Sequence, residues 1–348
     1  MPAVLVVNAG STTLKLHLVA ENESVESVEA LEAVRAGDIA AVGHRVVHGG
    51  ELVEPTLIDD DVRAAVEQLT RIAPLHNAPA LAAIDDARTL LPRLPHVAVF
   101  DTAFHAGMPP VAATYAVPRT WREDWGIRRY GFHGLSVEWS TQRAAELLGA
   151  DDARRLVVCH LGGGSSITAV RDGRSVDTTM GFTPLEGVPM ATRSGSIDPG
   201  ALLYVQRAHD LSVDDVDRAL NSESGLAGLA DGRDVRALVR AATDDETARL
   251  ALDVYTYRIA VAVSGMGAAL GGLDALVFTA GVGEHAPEIR AAVCRRLDFL
   301  GVQLDPELNE RSTPDADIAA SGSSVRILVI AAREELVAAR AVRTLVPS

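Results

Sequence analysis

Apolar and polar residues alternate along "LVVNAGSTTLKLHLV", residues 5–19, on both sides of a polar interruption running from Asn8 to Thr13. Period-two alternation around a Gly/Ser turn predicts a β-hairpin. A second hairpin of this kind is predicted by "VVCHLGGGSSITAVRDGRSVD", residues 157–177, where Gly164-Ser165-Ser166 resembles Gly10-Ser11-Thr12 and Asp172-Gly173 supplies a further turn. After each hairpin, strand and helix patterns alternate. In the first half "AVGHRVVHGGEL" reads as a strand and "NAPALAAIDDARTLL" as a helix capped by Asn77. "HVAVFDTAF" reads as a buried strand, and "SVEWSTQRAAELLG" as a helix with Ser136 as N-cap and Gly149 just past its end. The acidic stretch 20–40 reads as a short strand and helix. In the second half, Asp198 caps and Pro199 opens a helix in "SIDPGALLYVQRA", and a long helix covers about 244–271. "LDALVFTAGVG" and "VRILVIA" are strands, and "EELVAARAVRTLV" is helical. The pattern predicts two α/β domains, each opening with a hairpin sheet and related by duplication, with a boundary near 149–152.

Composition narrows the class. The 348 residues, 48% of them hydrophobic, suffice for large cores in two domains. A net charge of −15 disfavours nonspecific binding to nucleic acid or an anionic membrane. Any anionic substrate must therefore be held by a local basic cluster. Cys159 and Cys294 lie far apart, which fits a reduced, cytoplasmic protein without a disulfide framework. The first residues lack the basic segment of a secretory signal. The uncharged run Ile259–Leu273 is too short to span a bilayer and reads as a core helix.

Glycine-rich turns let backbone N–H groups approach an anion closely, so both hairpins suit phosphate. Neither a GxxxxGK[ST] loop nor a GxGxxG strand–helix turn occurs, which disfavours those two nucleotide-binding classes. Polar residues that interrupt apolar strands say more. "GHRVVHGG" carries His44, Arg45 and His48 in a strand, where an arginine requires a partner. Asp101 ends an apolar strand, the place where α/β sheets display catalytic groups. His76, His133 and Arg193 fall beside helix starts, where cations can complete an anion site. His44, His96 and His209 read as scaffold residues. No histidine pair has the spacing of a zinc or iron site, whereas a magnesium ion needs only one or two protein oxygens. Asn8 and the carboxylates Glu334 and Glu335 can supply them.

Taken in order, "VNAGSTTLK", "GHRVVHGG", "PLHNAPAL", "FDTAFH", "YGFHGLS", "CHLGGGSS", "TPLEGV", "TRSGSIDP", "TAGVGEH" and "EELVAAR" resemble the acetate kinase family, within the acetate and sugar kinase, heat-shock ATPase and actin superfamily. The resemblance runs essentially end to end. It implies two duplicated ribonuclease H-like, actin-like ATPase domains with the site in the cleft: residues 1–149, completed by the helix 335–348, and residues 150–334. It implies the reversible reaction of ATP with acetate to give ADP and acetyl phosphate, with Mg²⁺ (or Mn²⁺), in a homodimer. By the same resemblance Arg45 binds the carboxylate, Asp101 positions the attacking oxygen or a metal-bound water, and His133 and Arg193 stabilise the phosphoryl group, with His76 and His160 nearby. Val47, Leu75, Phe132 and Pro184 line the acyl pocket, and Asn8 and Glu334 handle the magnesium. The nucleotide falls to Lys15 and to His160, Leu161, Gly162, Gly163 and Gly164. Asp231, Gly232 and Arg233 complete that set, with Gly281, Val282, Gly283, Glu284 and His285.

The chain departs from the family pattern at three places: Gly163 and His285 each stand where asparagine is usual, and "IAAREEL" replaces "IPTNEEL". The first domain is also several tens of residues shorter, the deficit lying between residues 20 and 41. These departures bear on the phosphoryl donor more than on the reaction class. A propionate or short-chain acyl kinase is a close variant, since one methylene in an apolar pocket is worth only ~1–3 kcal/mol. A member using pyrophosphate or another donor is a second variant, and a non-catalytic, actin-like regulatory module a third. Retention of Arg45, Asp101, His133 and Arg193 argues against the last.

Overall fold

In the computed structural model of the chain, which describes residues 3–10 and 14–346, the alternating segments form two six-stranded mixed sheets. Ser11, Thr12 and Thr13, part of the first polar turn, lie outside the described residues. The first sheet comprises β1 (Ala3–Ala9), β2 (Leu14–Val19), β3 (Val25–Val28), β4 (Ile39–Val46), β5 (Thr56–Leu57) and β6 (His96–Phe100), in the order β3-β2-β1-β4-β6-β5. The second comprises β7 (Arg155–Leu161), β8 (Ser165–Arg171), β9 (Arg174–Thr178), β10 (Ala275–Thr279), β11 (Ala316–Asp317) and β12 (Arg326–Val329), in the order β11-β12-β10-β7-β8-β9. Each sheet holds a three-stranded antiparallel meander (β1–β3, β7–β9), then two parallel strands (β4 and β6, β10 and β12) and a short antiparallel edge strand. Strand for strand the two topologies are the same. That is a far stronger mark of duplication than the Gly/Ser echo.

The chain divides into two compact units. One takes in the chain up to Gly107, Tyr130–Trp139 and the segment from Arg333 onward; the other takes in Met108–Arg129 and Ser140–Ala332. This grouping differs from residues 1–149 with 335–348 against 150–334 by giving 108–129 and 140–149 to the second unit and Arg333 and Glu334 to the first. In the first unit the central strands are apolar on both faces, as parallel strands covered on both sides must be. Val4, Val6, Ala41, Val97 and Val99 pack with Leu336, Val337 and Val342 of the helix Glu334–Leu345. Leu5, Val7 and Val42 pack with Ala80, Ala83 and Ala87 of the helix Pro74–Leu90. In the second unit Val157, Cys159, Leu161, Leu276, Phe278 and Ile327 share one core with Tyr255, Ile259 and Val263 of the helix Glu246–Leu270.

Several local expectations change. The helix expected from Asn77 starts at Pro74, and that expected from Ser136 starts at Gly134, so neither residue is an N-cap. Asp198 does cap its helix, accepting from the Gly200 N–H at 2.8 Å. Asp172 and Gly173 make the β8–β9 turn with φ of 49° and 77°, the pattern of a type I′ turn. Stretch 20–40 holds β3 and two single-turn 3₁₀ helices, Leu31–Ala33 and Ala36–Asp38, rather than an α-helix. Both cysteines are free and buried, and among the described residues no helix is long and apolar enough to cross a membrane.

Candidate active site

Three neighbouring parallel strands of the first unit, β1, β4 and β6, place Asn8, Arg45 and Asp101 side by side at their carboxyl ends. Arg45 Nε donates to Asp101 Oδ1 at 2.8 Å and Nη2 to Oδ2 at 2.5 Å, a two-pronged pair. Its Nη1 donates to Asn8 Oδ1 at 3.0 Å and lies 3.2 Å from Glu334 Oε2, which also accepts from Asn8 Nδ2 at 3.3 Å. Glu334 arrives at the first turn of the helix Glu334–Leu345. The Asp101 side chain is 1% exposed and that of Arg45 14%. Burial works against the Arg45 charge, but the carboxylates of Asp101 and Glu334 outweigh it and hold the guanidinium firmly protonated. The arginine that the apolar strand made conspicuous thus has its partners, and all are hard oxygen donors.

Asp101 also fixes His133. The Asp101 carbonyl accepts the Gly134 N–H at 2.9 Å, and a β-carbon at 134 would lie 2.2 Å from that oxygen, so only glycine fits. Just before it His133 takes φ of 59°, a left-handed conformation uncommon for a side-chain-bearing residue. Strain of this kind costs about 1–3 kcal/mol and gathers at functional sites. The acyl residues sit around a second anchor. Asn77 Oδ1 accepts the His48 N–H and Asn77 Nδ2 donates to the His48 carbonyl, each at 3.0 Å. This joins the helix turn carrying exposed Leu75 and half-buried His76 to the residue after buried Val47. The His48 ring lies 5.5 Å from that of buried Phe132. Lys15 is exposed and stands opposite Asn8 in the β1–β2 ladder.

The second unit holds a cavity of about 380 Å³, of a size for a small ligand. Gly162, Gly163, Arg233, Gly281, Val282 and His285 line it, six of the residues named for the nucleotide. At Gly163 a β-carbon would meet nothing within 4 Å, so the wall is open there. Leu161 is instead fully buried in the core, and Glu284 Oε1 accepts the Ala332 N–H at 3.0 Å, so that side chain braces the chain rather than the cavity. Ala280 opens the short helix Ala280–His285 with φ of 65°. Arg290, 1% exposed, donates to the carbonyls of Gly283 and Glu284 at 2.9 and 2.8 Å and to Asn309, fixing that helix end. Asp231, Gly232 and Gly283 do not line the cavity, and neither do His160, within β7, and Gly164, in the β7–β8 turn. Asp234, Arg236, Ala191 and Tyr255 also line it. In the same unit Arg193 Nη1 donates to the Pro184 carbonyl at 3.3 Å, and burial lowers its affinity for the proton.

This geometry has counterparts. The profile of the acetokinase family matches residues 29–340. An acetate kinase of Gloeobacter violaceus is 49% identical over 333 residues, 92% of this chain and 82% of its own length. The chain belongs to the acetokinase family. Solved structures of the family superpose throughout: a Francisella tularensis propionate kinase has a TM-score of 0.91 at 36% identity, covering 98% of this chain and 99% of its own. A Porphyromonas gingivalis acetate kinase has 0.88 at 34% identity, covering 99% and 100%. Membership in the acetokinase family makes the protein a phosphotransferase of two duplicated actin-like domains. Sequence reasoning missed Asp234, Arg236 and Tyr255 of the cavity; Tyr255 belongs to the core face of a long helix, where nothing in the local pattern sets it apart.

Proposed function

We propose that the protein transfers the γ-phosphoryl group of ATP to acetate, directly and reversibly, giving acetyl phosphate and ADP. The observation that carries this reading is the Arg45–Asp101–Asn8–Glu334 cluster at the ends of three parallel strands. A guanidinium held there by fixed carboxylates suits one end of a small carboxylate. The acceptor oxygen attacks phosphorus as the bond to the β-phosphate oxygen breaks, and catalysis rests on alignment and on positive charge at the equatorial oxygens. Arg45 binds the carboxylate, Asp101 orients the attacking oxygen, and His133 and Arg193 stabilise the phosphoryl charge, with His76 and His160 near it. Val47, Leu75, Phe132 and Pro184 receive the methyl group. The cavity bounded by Gly162, Gly163, Arg233, Gly281, Val282 and His285 takes the nucleotide, and Lys15 its phosphates. Asn8, Asp101 and Glu334 offer oxygen ligands that fit Mg²⁺ or Mn²⁺ completed by water, though none of the described residues form a cluster of three metal-binding His, Cys, Asp or Glu side chains. When bound, the ion would neutralise phosphate charge.

Propionate is a second acceptor to weigh, because a propionate kinase superposes on the chain so closely and one methylene discriminates by only ~1–3 kcal/mol. An open nucleotide cavity supports a nucleoside triphosphate over pyrophosphate as donor. A homodimer is part of the proposal: Leu250, Tyr257 and Val261, at helical spacing on Glu246–Leu270, are each about half exposed. Free, buried cysteines support a reducing, cytoplasmic setting. The test pairs ATP, GTP or pyrophosphate with acetate, propionate or butyrate and traps acyl phosphate as the hydroxamate. ATP with acetate is expected to be the most productive pair; ADP binding without product from any pair would refute the enzyme reading.

A further inference from the structure

In the second unit the loop 179–187 is wrapped around one carboxylate. Glu186 Oε1 accepts from Arg129 Nη2 at 2.8 Å, and Oε2 accepts a short hydrogen bond from the Tyr115 hydroxyl, whose oxygen accepts the Phe182 N–H at 3.1 Å. Arg129 Nη1 donates to the carbonyls of Thr179 and Met180 at 2.9 and 3.1 Å, and its guanidinium carbon lies 5.4 Å from the Tyr115 ring centre. The wrap is tight: a β-carbon at Gly181 would fall 1.8 Å from Glu186 Oε2 and 2.0 Å from the Tyr115 oxygen. Two consequences converge on Arg193. Inside the wrap lies Pro184, whose carbonyl accepts from Arg193 Nη1. Next to Glu186, Gly187 is bonded to Ser196 in both directions, N–H to Oγ at 3.2 Å and carbonyl from N–H at 2.8 Å, closing the base of the loop that carries Arg193.

We propose that Glu186, clamped by Arg129 and Tyr115, is a positioning residue that sets the place of the Arg193 guanidinium. The proposal rests on the reading of Arg193 as a phosphoryl-stabilising group. Glu186 touches neither substrate in this scheme; it acts by holding the two backbone points, Pro184 and Gly187, from which Arg193 is aimed. A displacement of about 1 Å at such a group can cost ~10²-fold in rate.

Kinetics of acyl phosphate formation would be compared in the wild type, Glu186→Gln, Tyr115→Phe, Arg193→Ala and the double variant Glu186→Gln/Arg193→Ala. The expected result is a kcat lowered ~10- to 10²-fold in Glu186→Gln and less in Tyr115→Phe, with the KM for ATP and the affinity for ADP within twofold of wild type. In the Arg193→Ala background Glu186→Gln should add no further loss, because there is no guanidinium left to place. An unchanged kcat, or losses that multiply in the double variant, overturns the proposal. A readout independent of turnover is the rate of Arg193 labelling by phenylglyoxal, followed by mass spectrometry. It should change several-fold in Glu186→Gln, and an unchanged rate also overturns the proposal. Should the wild type form no acyl phosphate while the labelling rate shifts, the functional reading falls and the positioning of Arg193 by Glu186 stands.

Discussion

Removing Arg45 would leave Asp101, with a side chain 1% exposed, as a carboxylate stripped of its guanidinium. Arg45→Ala is therefore expected to lose activity and about 3 kcal/mol of stability together. Arg193→Ala, which removes the hydrogen bond to the Pro184 carbonyl, should lose ~10³–10⁵ in kcat and less stability than Arg45→Ala. Denaturant unfolding and turnover on the same preparations separate the two arginines; equal stability losses would contradict the assignment. A second residue-scale expectation concerns His44, whose Nε2 lies 3.0 Å from His96 Nδ1 in the core. Burial, then repulsion from His96 and Arg88, pushes the His44 pKa down to about 3, and burial lowers that of His96. Both rings are neutral in the fold and take protons once unfolded below about pH 6.5. The contribution of His44 is thus complete above pH 6.5 and is lost as pH falls toward 3, at up to about 1.4 kcal/mol per pH unit, and that of His96 runs in the same direction. Urea midpoints measured from pH 7 to 4.5 should fall, and less steeply in His44→Phe. Arg45 and Asp101 were legible in the sequence because a charge in an apolar strand demands a partner. Arg236 and Tyr255 were not, since one is an arginine on the exposed side of the short helix Val235–Ala241 and the other belongs to a core face.

At the scale of elements, strands were read well because period-two alternation and doubly apolar runs are properties of the strands themselves. Helix starts were read less well. Capping rules see only a side chain and the next turn, whereas Asn77 spends its amide on His48 and the helix from Gly134 begins where Asp101 needs a close approach. Asn77→Ala would leave a buried N–H and carbonyl of His48 without these bonds, at about 1–3 kcal/mol. Because Val47 adjoins His48, the variant should raise the KM for the acyl acceptor while sparing that for ATP, as initial-rate kinetics would read. The matching sheets also show where the copies parted. The Asp101 N–H donates to the Val46 carbonyl and, at the corresponding place, the Ile330 N–H donates to the Phe278 carbonyl, each at 3.0 Å. One copy ends that strand in a carboxylate and the other in an aliphatic side chain.

For the whole molecule, a charge of −15 means that an anionic nucleotide must be drawn in by local groups rather than by the overall field, and in the proposed site Arg233 and Arg236 line the cavity to do so. ADP at a hundred times its Kd should add about 2.7 kcal/mol of stability, and hydrogen exchange should slow in β7, β10 and the helix Ala280–His285 while β3 and β5 keep their rates. Uniform slowing across both sheets would contradict a nucleotide held mainly by the cavity of the second unit. The assignment of 108–129 and 140–149 to that unit was not legible, because no change of composition marks either crossing. The packing of the helix Glu334–Leu345 on the first sheet has a consequence for biosynthesis. Every strand of both sheets leaves the ribosome before this helix does. The unit that begins the chain is therefore the last to be completed, and during translation its apolar face over Val4, Val6, Val97 and Val99 waits uncovered while the second unit gathers its core.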